Sequence, residues 1–523
     1  MTIEDPAERG FQTDTPEVTE QTDLDGHPTE GLTPDALAPE PLPEGMQAAT
    51  VVAPSDDAVA APGAPDLSIL DTRPVPGRPR DYHFPRFERF QLSNGLTVLN
   101  AHVAGRALVA AQLLLPGGGW TESADQSGVT VLTARALTEG TQRRDANDFV
   151  ESAERLGAEI HADATWEALT ASVEVPRRRF GDALALLSEM VAEPAFPAED
   201  VERLRDERMN DLLQAWSDPR RRSERVFPET IYDADSPYRR PLAGIQSTVR
   251  GLNRDSVMER HRALFDPSAA TLVVAGDLGG VSEADVTEKH LGSLAATVDR
   301  LDGLGGDAAR GPSQRRIVLV DRPGAPQSEV RIGHVGINRL TPEFHALSVL
   351  NAILGGTFNS RLNRVIREEL GYTYGIHSAF DMRRRAGPFV IRTAVETAVT
   401  VPAILETLRI VGEFRDGMVE DDELTVARDY LVGVFPLRFE GAAQVASALG
   451  GLVVFDLPDD ELDRYRPSIA GVSADDVRYA ALRHVRPEEL SIVVVGDAKE
   501  IESALRSAEL GEVTLVAADA SAE

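Results

Sequence analysis

Two stretches 220 residues apart, Thr271-Leu-Val-Val-Ala-Gly276-Asp277 and Ser491-Ile-Val-Val-Val-Gly496-Asp497, decide how this chain is read. Each is an apolar run of strand length closed by Gly-Asp. Each is also preceded by the same pattern. Gly251-Leu-Asn-Arg-Asp255 leads through Asp266-Pro267 to the first, and Gly471-Val-Ser-Ala-Asp475 leads through Arg486-Pro487 to the second. The offset stays at 220, and Gly, Asp, Val, Pro, Val-Val and Gly-Asp all match. A helix, a Pro turn and a terminal strand recur in many proteins, but this many identities in one register point to duplication. The chain reads as two copies of an α+β unit of about 200 residues each.

Elements can be placed outward from there. Asn94-Gly95 between the strand-like runs of Phe87–Asn100 is a hairpin signal. Ala107–Leu115 is an apolar run of strand length, and strands recur at Ala168–Val175 and Ala270–Ala275. Residues 128–138, 146–156, 178–192 and 198–216 carry apolar side chains at helical spacing. Helix starts fit Asp145 and Pro197. The second copy repeats the order, with strands at Arg316–Val320 and Glu329–Val335 and a helix at Glu343–Leu354. Between the copies, Asp302–Ser313 is Gly-rich and polar, the composition of a linker.

Of 523 residues with a formal net charge of −32, the first 80 hold 16 acids against 4 Arg, 13 of the 33 prolines and one aromatic, Phe11. Such a segment buries too little apolar surface to offset its ordering entropy. The expected domain plan is an acidic tail at 1–80, a first domain at 81–300, a linker at 301–315, a second domain at 316–510 and a tail at 511–523. The charge argues against a nucleic-acid partner, which needs a basic footprint. The absence of Cys excludes disulfides, thiolate metal sites and Cys nucleophiles. The N-terminus has neither a basic start nor an apolar core of a secretory signal, and no apolar run nears the roughly 20 residues of a membrane span. A cytoplasmic chain without membrane insertion is expected.

Three stretches carry a resemblance. Phe90-Gln-Leu-Ser-Asn-Gly-Leu-Thr-Val98, Gly128-Val-Thr-Val-Leu-Thr-Ala-Arg-Ala-Leu-Thr-Glu-Gly-Thr141 and Asn359-Ser-Arg-Leu-Asn-Arg-Val-Ile-Arg-Glu-Glu-Leu-Gly-Tyr-Thr-Tyr374 follow one another in order. They resemble the opening strand, the metal-binding helix and the second-domain signature of the insulinase or pitrilysin-type zinc metallopeptidases, which include the mitochondrial processing peptidases. The resemblance covers residues 85–510. It implies two homologous α/β domains with largely antiparallel sheets and packed helices.

One departure decides the functional reading. Active members carry His-x-x-Glu-His on the first helix, where two His one turn apart reach one zinc and the Glu serves as general base. Aligned on Gly128 and Gly140-Thr141, those positions are Val131, Ala134 and Arg135. Neither ligand nor base remains, and Arg is a permanent cation. The family's third ligand is a Glu on a later helix, and there this chain reads Met209-Asn210-Asp211; Asp211 is either a remnant carboxylate or an ordinary solvated one. The ten His form no His-x-x-x-His pair. No metal is therefore expected in this chain.

The second half keeps what the first has lost. In active members an Arg and a Tyr seven positions apart reach from the second domain toward the substrate, and here Arg367 and Tyr374 have that spacing. A Tyr hydroxyl donates to a developing oxyanion, and Arg fixes a substrate carbonyl. The spacing alone also suits a structural helix-end Arg and strand Tyr. Gly355-Gly356-Thr357-Phe358-Asn359 lacks the Walker lysine and reads as close packing and a turn. Some bacterial members split the site between two chains. The resemblance thus implies a zinc-free subunit, inactive alone, pairing with a homologous subunit that bears His-x-x-Glu-His and zinc and hydrolyses peptides. The alternatives are a non-catalytic scaffold, as in the core subunits of respiratory complexes, and a peptide-binding module.

Overall fold

The computed structural model describes residues 77, 80–280, 282–295 and 311–518. The expected acidic tail, apart from Gly77 and Arg80, and residues 301–310 of the expected linker lie outside the described residues.

Asn94-Gly95 turns the chain as the dipeptide demands. Gly95 has φ +89°, a left-handed conformation open to Gly without steric cost, and joins β1 (Phe87–Gln91) to β2 (Thr97–His102). Then come β3 (Leu108–Pro116), α1 (Val129–Ala136), α2 (Ala146–Leu156), β4 (Glu159–Ala164), β5 (Ala168–Pro176), α3 (Phe180–Ala192), α4 (Ala198–Ser217), α5 (Pro219–Ile231), α6 (Gln246–Val249), α7 (Arg254–Leu264), β6 (Thr271–Gly276) and α8 (Glu283–Leu291). The second half runs β7 (Ile317–Asp321), β8 (Gln327–Val335), α9 (Phe344–Asn351), β9 (Ile376–Phe380), β10 (Pro388–Glu396), α10 (Thr400–Asp416), α11 (Asp421–Val434), α12 (Ala442–Phe455), α13 (Glu461–Gly471), α14 (Ala474–His484), β11 (Ser491–Gly496), α15 (Ala498–Ser507) and β12 (Val513–Val516).

The strands form two six-stranded sheets, ordered β1-β2-β6-β3-β5-β4 and β12-β7-β11-β8-β10-β9. Both are mixed and largely antiparallel, with β2/β6 and β7/β11 the matching parallel pairs. One position differs. β1 reaches the sheet edge antiparallel to β2 through the Gly95 turn, whereas its counterpart is filled by β12, parallel to β7. Residues 513–516, expected within a C-terminal tail, are thus a strand. Four residues with only Val513 buried carry too little pattern to announce it; the open edge of β7 supplies the template.

The repeated Gly-Asp performs the same task twice. Gly276 (φ +147°) lies so close to β3 that a Cβ would come 2.9 Å from Val109 Cα, and at Gly496 it would come 2.5 Å from Ser328 Oγ of β8. Asp277 accepts from the backbone N–H of Gly105 (3.4 Å) and Gly279 (2.9 Å); Asp497 accepts from Gly324 (2.7 Å) and Lys499 (3.0 Å). Gly105 and Gly324, at φ +74° and +73°, occupy the β2–β3 and β7–β8 turns. Identical residues recur because identical turns must be pinned.

Each sheet packs its own helices on one face, giving two large cores. The opposite faces exchange helices. Ala442, Val445, Ala446 and Leu449 of α12 pack on Leu99, Ala110, Leu114 and Val273 of the first sheet. Val226, Phe227 and Ile231 of α5 pack on Val320, Val335, Val390 and Val493 of the second. Both sheets belong to one compact unit, residues 78–523. A second contact joins the halves. The Arg383 guanidinium, on the β9–β10 loop, lies 5.0 Å from the Trp166 ring and 4.6 Å from the Tyr238 ring. Tyr232 donates to Ala386 O (3.0 Å), and Tyr238 donates to Glu167 (2.7 Å).

Candidate functional site

Helix α1 is the element on which the resemblance places a metal motif. Its start is built without one. Gly128, at φ +97°, lets the chain turn into the helix. The buried Glu122 carboxylate accepts the backbone N–H of Gly128 (2.8 Å) and Thr130 (2.7 Å), filling the helix N-terminus. Burial pushes its carboxyl up, and the hydrogen bonds from Thr130 and Gly128 pull it back. Buried Arg260 donates to Thr130 Oγ1 (2.8 Å), Gly118 O (2.9 Å) and Thr121 Oγ1 (2.6 Å), and burial lowers it to about 10. The helix that would carry ligands is thus fixed by side chains of its own half.

The motif positions do different things. Val131 is half-buried and Ala134 is buried in the first core. Arg135 extends to α4 and donates to Glu207 (2.8 Å). Glu207 also accepts from Arg203 (2.8 Å), which in turn reaches Glu139 (2.6 Å). The Arg203 hydrogen bond first, and that of Arg135 next, hold the Glu207 carboxyl below its usual range. An alternating row of carboxylates and guanidiniums thus joins the two helices. Asp211 stands one turn along α4, half-exposed, 3.6 Å from Arg208. The acid that meets the degenerate motif is therefore Glu207, which the sequence reading passed over. Its one advance sign was the i,i+4 spacing of Arg203 and Glu207.

These residues do not fit zinc. Val131 and Ala134 offer no donor atom, and Arg135 is a cation already paired. Among the described residues, no three His, Cys, Asp or Glu side chains gather into a metal-binding group.

Arg367 and Tyr374 flank a shaped loop in the second half. After α9 the chain makes π-type turns at Ala352–Gly356 and Asn363–Glu369, the second of which contains Arg367. The glycines between serve close packing: a Cβ on Gly355 would come 2.6 Å from Ser378 Oγ. The Arg367 guanidinium covers the Phe358 ring at 3.5 Å and pairs with Glu368 at 2.5 Å. Gly371, at φ +66°, turns the chain back, and Tyr374 stands in the loop before β9 with 96% of its surface exposed. The loop is held from below. Buried Asn363 donates to Ile376 O (2.8 Å) and Thr357 O (3.2 Å) and accepts from Ile376 N (3.2 Å). Thr373 donates to Ala394 O (2.7 Å) and accepts from Gly375 N (3.1 Å). An exposed phenol on a doubly clamped loop presents a hydroxyl outward. Asn363 and Thr373 hold the loop by hydrogen bonds that become visible only once it is closed.

The comparisons agree with this architecture. The family model described as "Insulinase (Peptidase family M16)" matches residues 97–244, and that described as "Peptidase M16 inactive domain" matches 251–431. An uncharacterized zinc protease of Mycobacterium tuberculosis is 24% identical over 78% of this chain and 92% of its own length. A non-peptidase homolog, YmxG, of Helicobacter pylori is 24% identical over 74% of this chain and 89% of its own. The crystal structure of a peptidase M16 inactive domain from Pseudomonas fluorescens shares the fold with a TM-score of 0.71 at 21% identity, covering 79% of this chain and 98% of that one. A protease from Helicobacter pylori does so at 0.74 and 17%, covering 79% and 100%. Among the described residues, no helix is long and apolar enough to cross a membrane. With both halves matched in order and the sheets duplicated as described, the chain belongs to the insulinase (M16) peptidase family, as a member whose first helix lacks zinc-binding side chains.

Proposed function

We propose that this chain is the zinc-free subunit of a two-chain M16 metallopeptidase. It supplies Arg367 and Tyr374 to a homologous partner that bears His-x-x-Glu-His and zinc and hydrolyses peptides. The observation that carries this reading is the Arg135–Glu207 ion pair on the helix face where ligands would stand, in a fold otherwise kept whole. A relict chain would have no reason to keep the Arg367–Tyr374 loop clamped at Asn363 and Thr373 with its phenol outward.

The division of chemistry follows from side-chain type. Zinc held by the partner's His-x-x-Glu-His would supply activation of water and polarisation of the scissile carbonyl. Tyr374 donates its proton to the oxygen on which negative charge develops, and Arg367 holds a neighbouring peptide carbonyl. An extended peptide is held by adding a strand to a sheet edge; β4 and β9 are the edges on the side of each sheet away from β1 and β12. Cytoplasmic residence and the 81–300 and 316–510 domain plan, the latter extended to 516 by β12, belong to the same proposal.

The test is reconstitution. The purified chain alone should hold no stoichiometric zinc and cleave no peptide. With the partner, proteolysis should appear, and Arg367→Ala or Tyr374→Phe should lower kcat/KM on the order of 10²–10³-fold. Chelator-sensitive proteolysis by the chain alone would overturn the reading. Full activity in both variants would leave the scaffold role in its place, a reading favoured by the relative named as a non-peptidase homolog.

A further inference from the structure

Helices α4 and α5 meet in an elbow at Asp218 and, with Pro241, wall a cavity of about 180 Å³. Four guanidiniums line it, from Arg208, Arg221, Arg222 and Arg225, against one carboxylate, Glu224. Such a balance is unexpected on a chain of net charge −32. The carboxylate is already engaged, since Glu224 lies 3.3 Å from Arg220 and 3.8 Å from Arg331. Arg225 pairs with Glu229 at 3.4 Å. Arg208 meets Asp211 at 3.6 Å, which leaves Arg221 and Arg222 of the lining without an ion pair among the described residues.

Arg208, Arg221 and Arg222 each have donors to spare. Arg221 is exposed, and no side-chain hydrogen bond or ion pair engages it among the described residues. Arg208 gives Nε to Ala243 O (2.9 Å) and meets Asp211 only at 3.6 Å. Arg222 is 5% exposed, lies 4.0 Å over the Trp216 ring and gives Nη2 to Ala517 O (3.2 Å). Its Nε is buried with no hydrogen-bond partner. A buried N–H without an acceptor costs free energy, and native proteins rarely leave one so. Burial foremost, with the positive charges of Arg221 and Arg135, already disfavours the charged form of Arg208. An anion placed among them relieves the repulsion.

Size and shape narrow the anion. The cavity is smaller than the roughly 300 Å³ at which drug-sized pockets begin, so it takes one functional group. Guanidinium forks match the paired oxygens of a phosphoryl group, and several guanidiniums in a lining with one engaged carboxylate favour a dianion over a single carboxylate. Trp216 and Leu212 supply an apolar wall. We infer that the α4–α5 elbow is a binding site for a phosphoryl group, held by Arg208, Arg221 and Arg222 against Trp216. The site contains neither Arg367 nor Tyr374 and needs no partner chain, so it stands apart from the subunit reading. The group arrives either as free phosphate or as a phosphate monoester on a polypeptide.

Calorimetric titration of the full chain at low salt tests this with three probes: inorganic phosphate, a phosphoserine peptide, and the same peptide carrying Glu at that position. Saturable one-to-one binding is expected for the phosphoryl probes and weaker binding for the Glu peptide. Arg221→Glu lies at an exposed position and should fold; it should weaken phosphate binding more than about 10-fold. Arg478→Glu, an equal charge change on exposed α14, should not. A phosphoserine peptide that binds tighter than phosphate identifies a polypeptide source, and equal affinity identifies free phosphate. Absence of saturable phosphate binding, equal weakening by both charge reversals, or a Glu peptide that binds as tightly as the phosphoserine peptide would overturn the proposal.

Discussion

At the scale of single residues, the chain replaces a metal with charge pairing and pays little for it. The Arg135–Glu207 pair is two-fifths exposed on both sides, and pairs of that kind contribute modestly in water. Arg135→Ala should therefore shift stability by less than about 1 kcal/mol in urea unfolding, because Glu207 keeps Arg203. Arg135→His should not recruit zinc, since Val131 and Ala134 add no donor; inductively coupled plasma analysis of the purified variant would show it. A deeper residue controls the response to acid. Buried His334 accepts from the backbone N–H of Arg486 (3.2 Å), and burial first, with the Arg486 charge second, pushes it down to about 3. Above its ordinary value of about 6.5 it is neutral in folded and unfolded chains alike, so its contribution is complete. As pH falls from there toward 3, the unfolded chain takes up a proton that the folded chain refuses, and stability is lost. His334→Gln should flatten the stability profile below pH 6.5 by up to about 1.4 kcal/mol per pH unit relative to the unaltered chain. Parallel profiles in denaturant titrations would refute this.

At the scale of elements, helices at 146–156 and 198–216, the β1–β2 hairpin and the paired terminal strands were legible because spacing and turn chemistry are local signals. The structure gives α2 at 146–156, α4 at 198–217, and β6 and β11 at the same 220-residue offset. The helix expected at Glu343–Leu354 divides into α9 and a π-type turn, because Gly355-Gly356 packs where a regular turn would meet Asn351 and Ser378. The exchanged helices had no local signal of destination. α12 is apolar nearly all round, which announces burial but not against which sheet. Its contact is dense, and Leu449 is fully buried on the first sheet. Leu449→Ala should cost about 2–5 kcal/mol, although the residue lies in the second half and its cavity opens on the first. Chemical denaturation read by fluorescence and circular dichroism would give the loss; a shift under 1 kcal/mol would mean the helix is dispensable there.

At the scale of the whole molecule, the exchange makes two copies of one fold a single cooperative body. α5 covers the second sheet, α12 covers the first, and Arg383 lodges between Trp166 and Tyr238. Residues 78–300 and 311–518 expressed apart should each expose an apolar sheet face and aggregate. Co-expressed, they should co-purify. The intact chain should unfold in one calorimetric transition, and two resolved transitions would contradict the exchange.

The sequence by itself determined the duplication, the α+β class, most elements and the loss of zinc ligands at Val131, Ala134 and Arg135. The first three rest on local spacing, and the last on the family resemblance that aligns those positions with His-x-x-Glu-His; none needs a fold to be read. Only the tertiary structure decided that Glu207 rather than Asp211 meets Arg135, that β12 completes the second sheet, that Asn363 clamps the Tyr374 loop, and that the halves trade helices. Those depend on which distant groups share a surface, and burial and hydrogen-bond satisfaction settle that only when the chain has closed on itself.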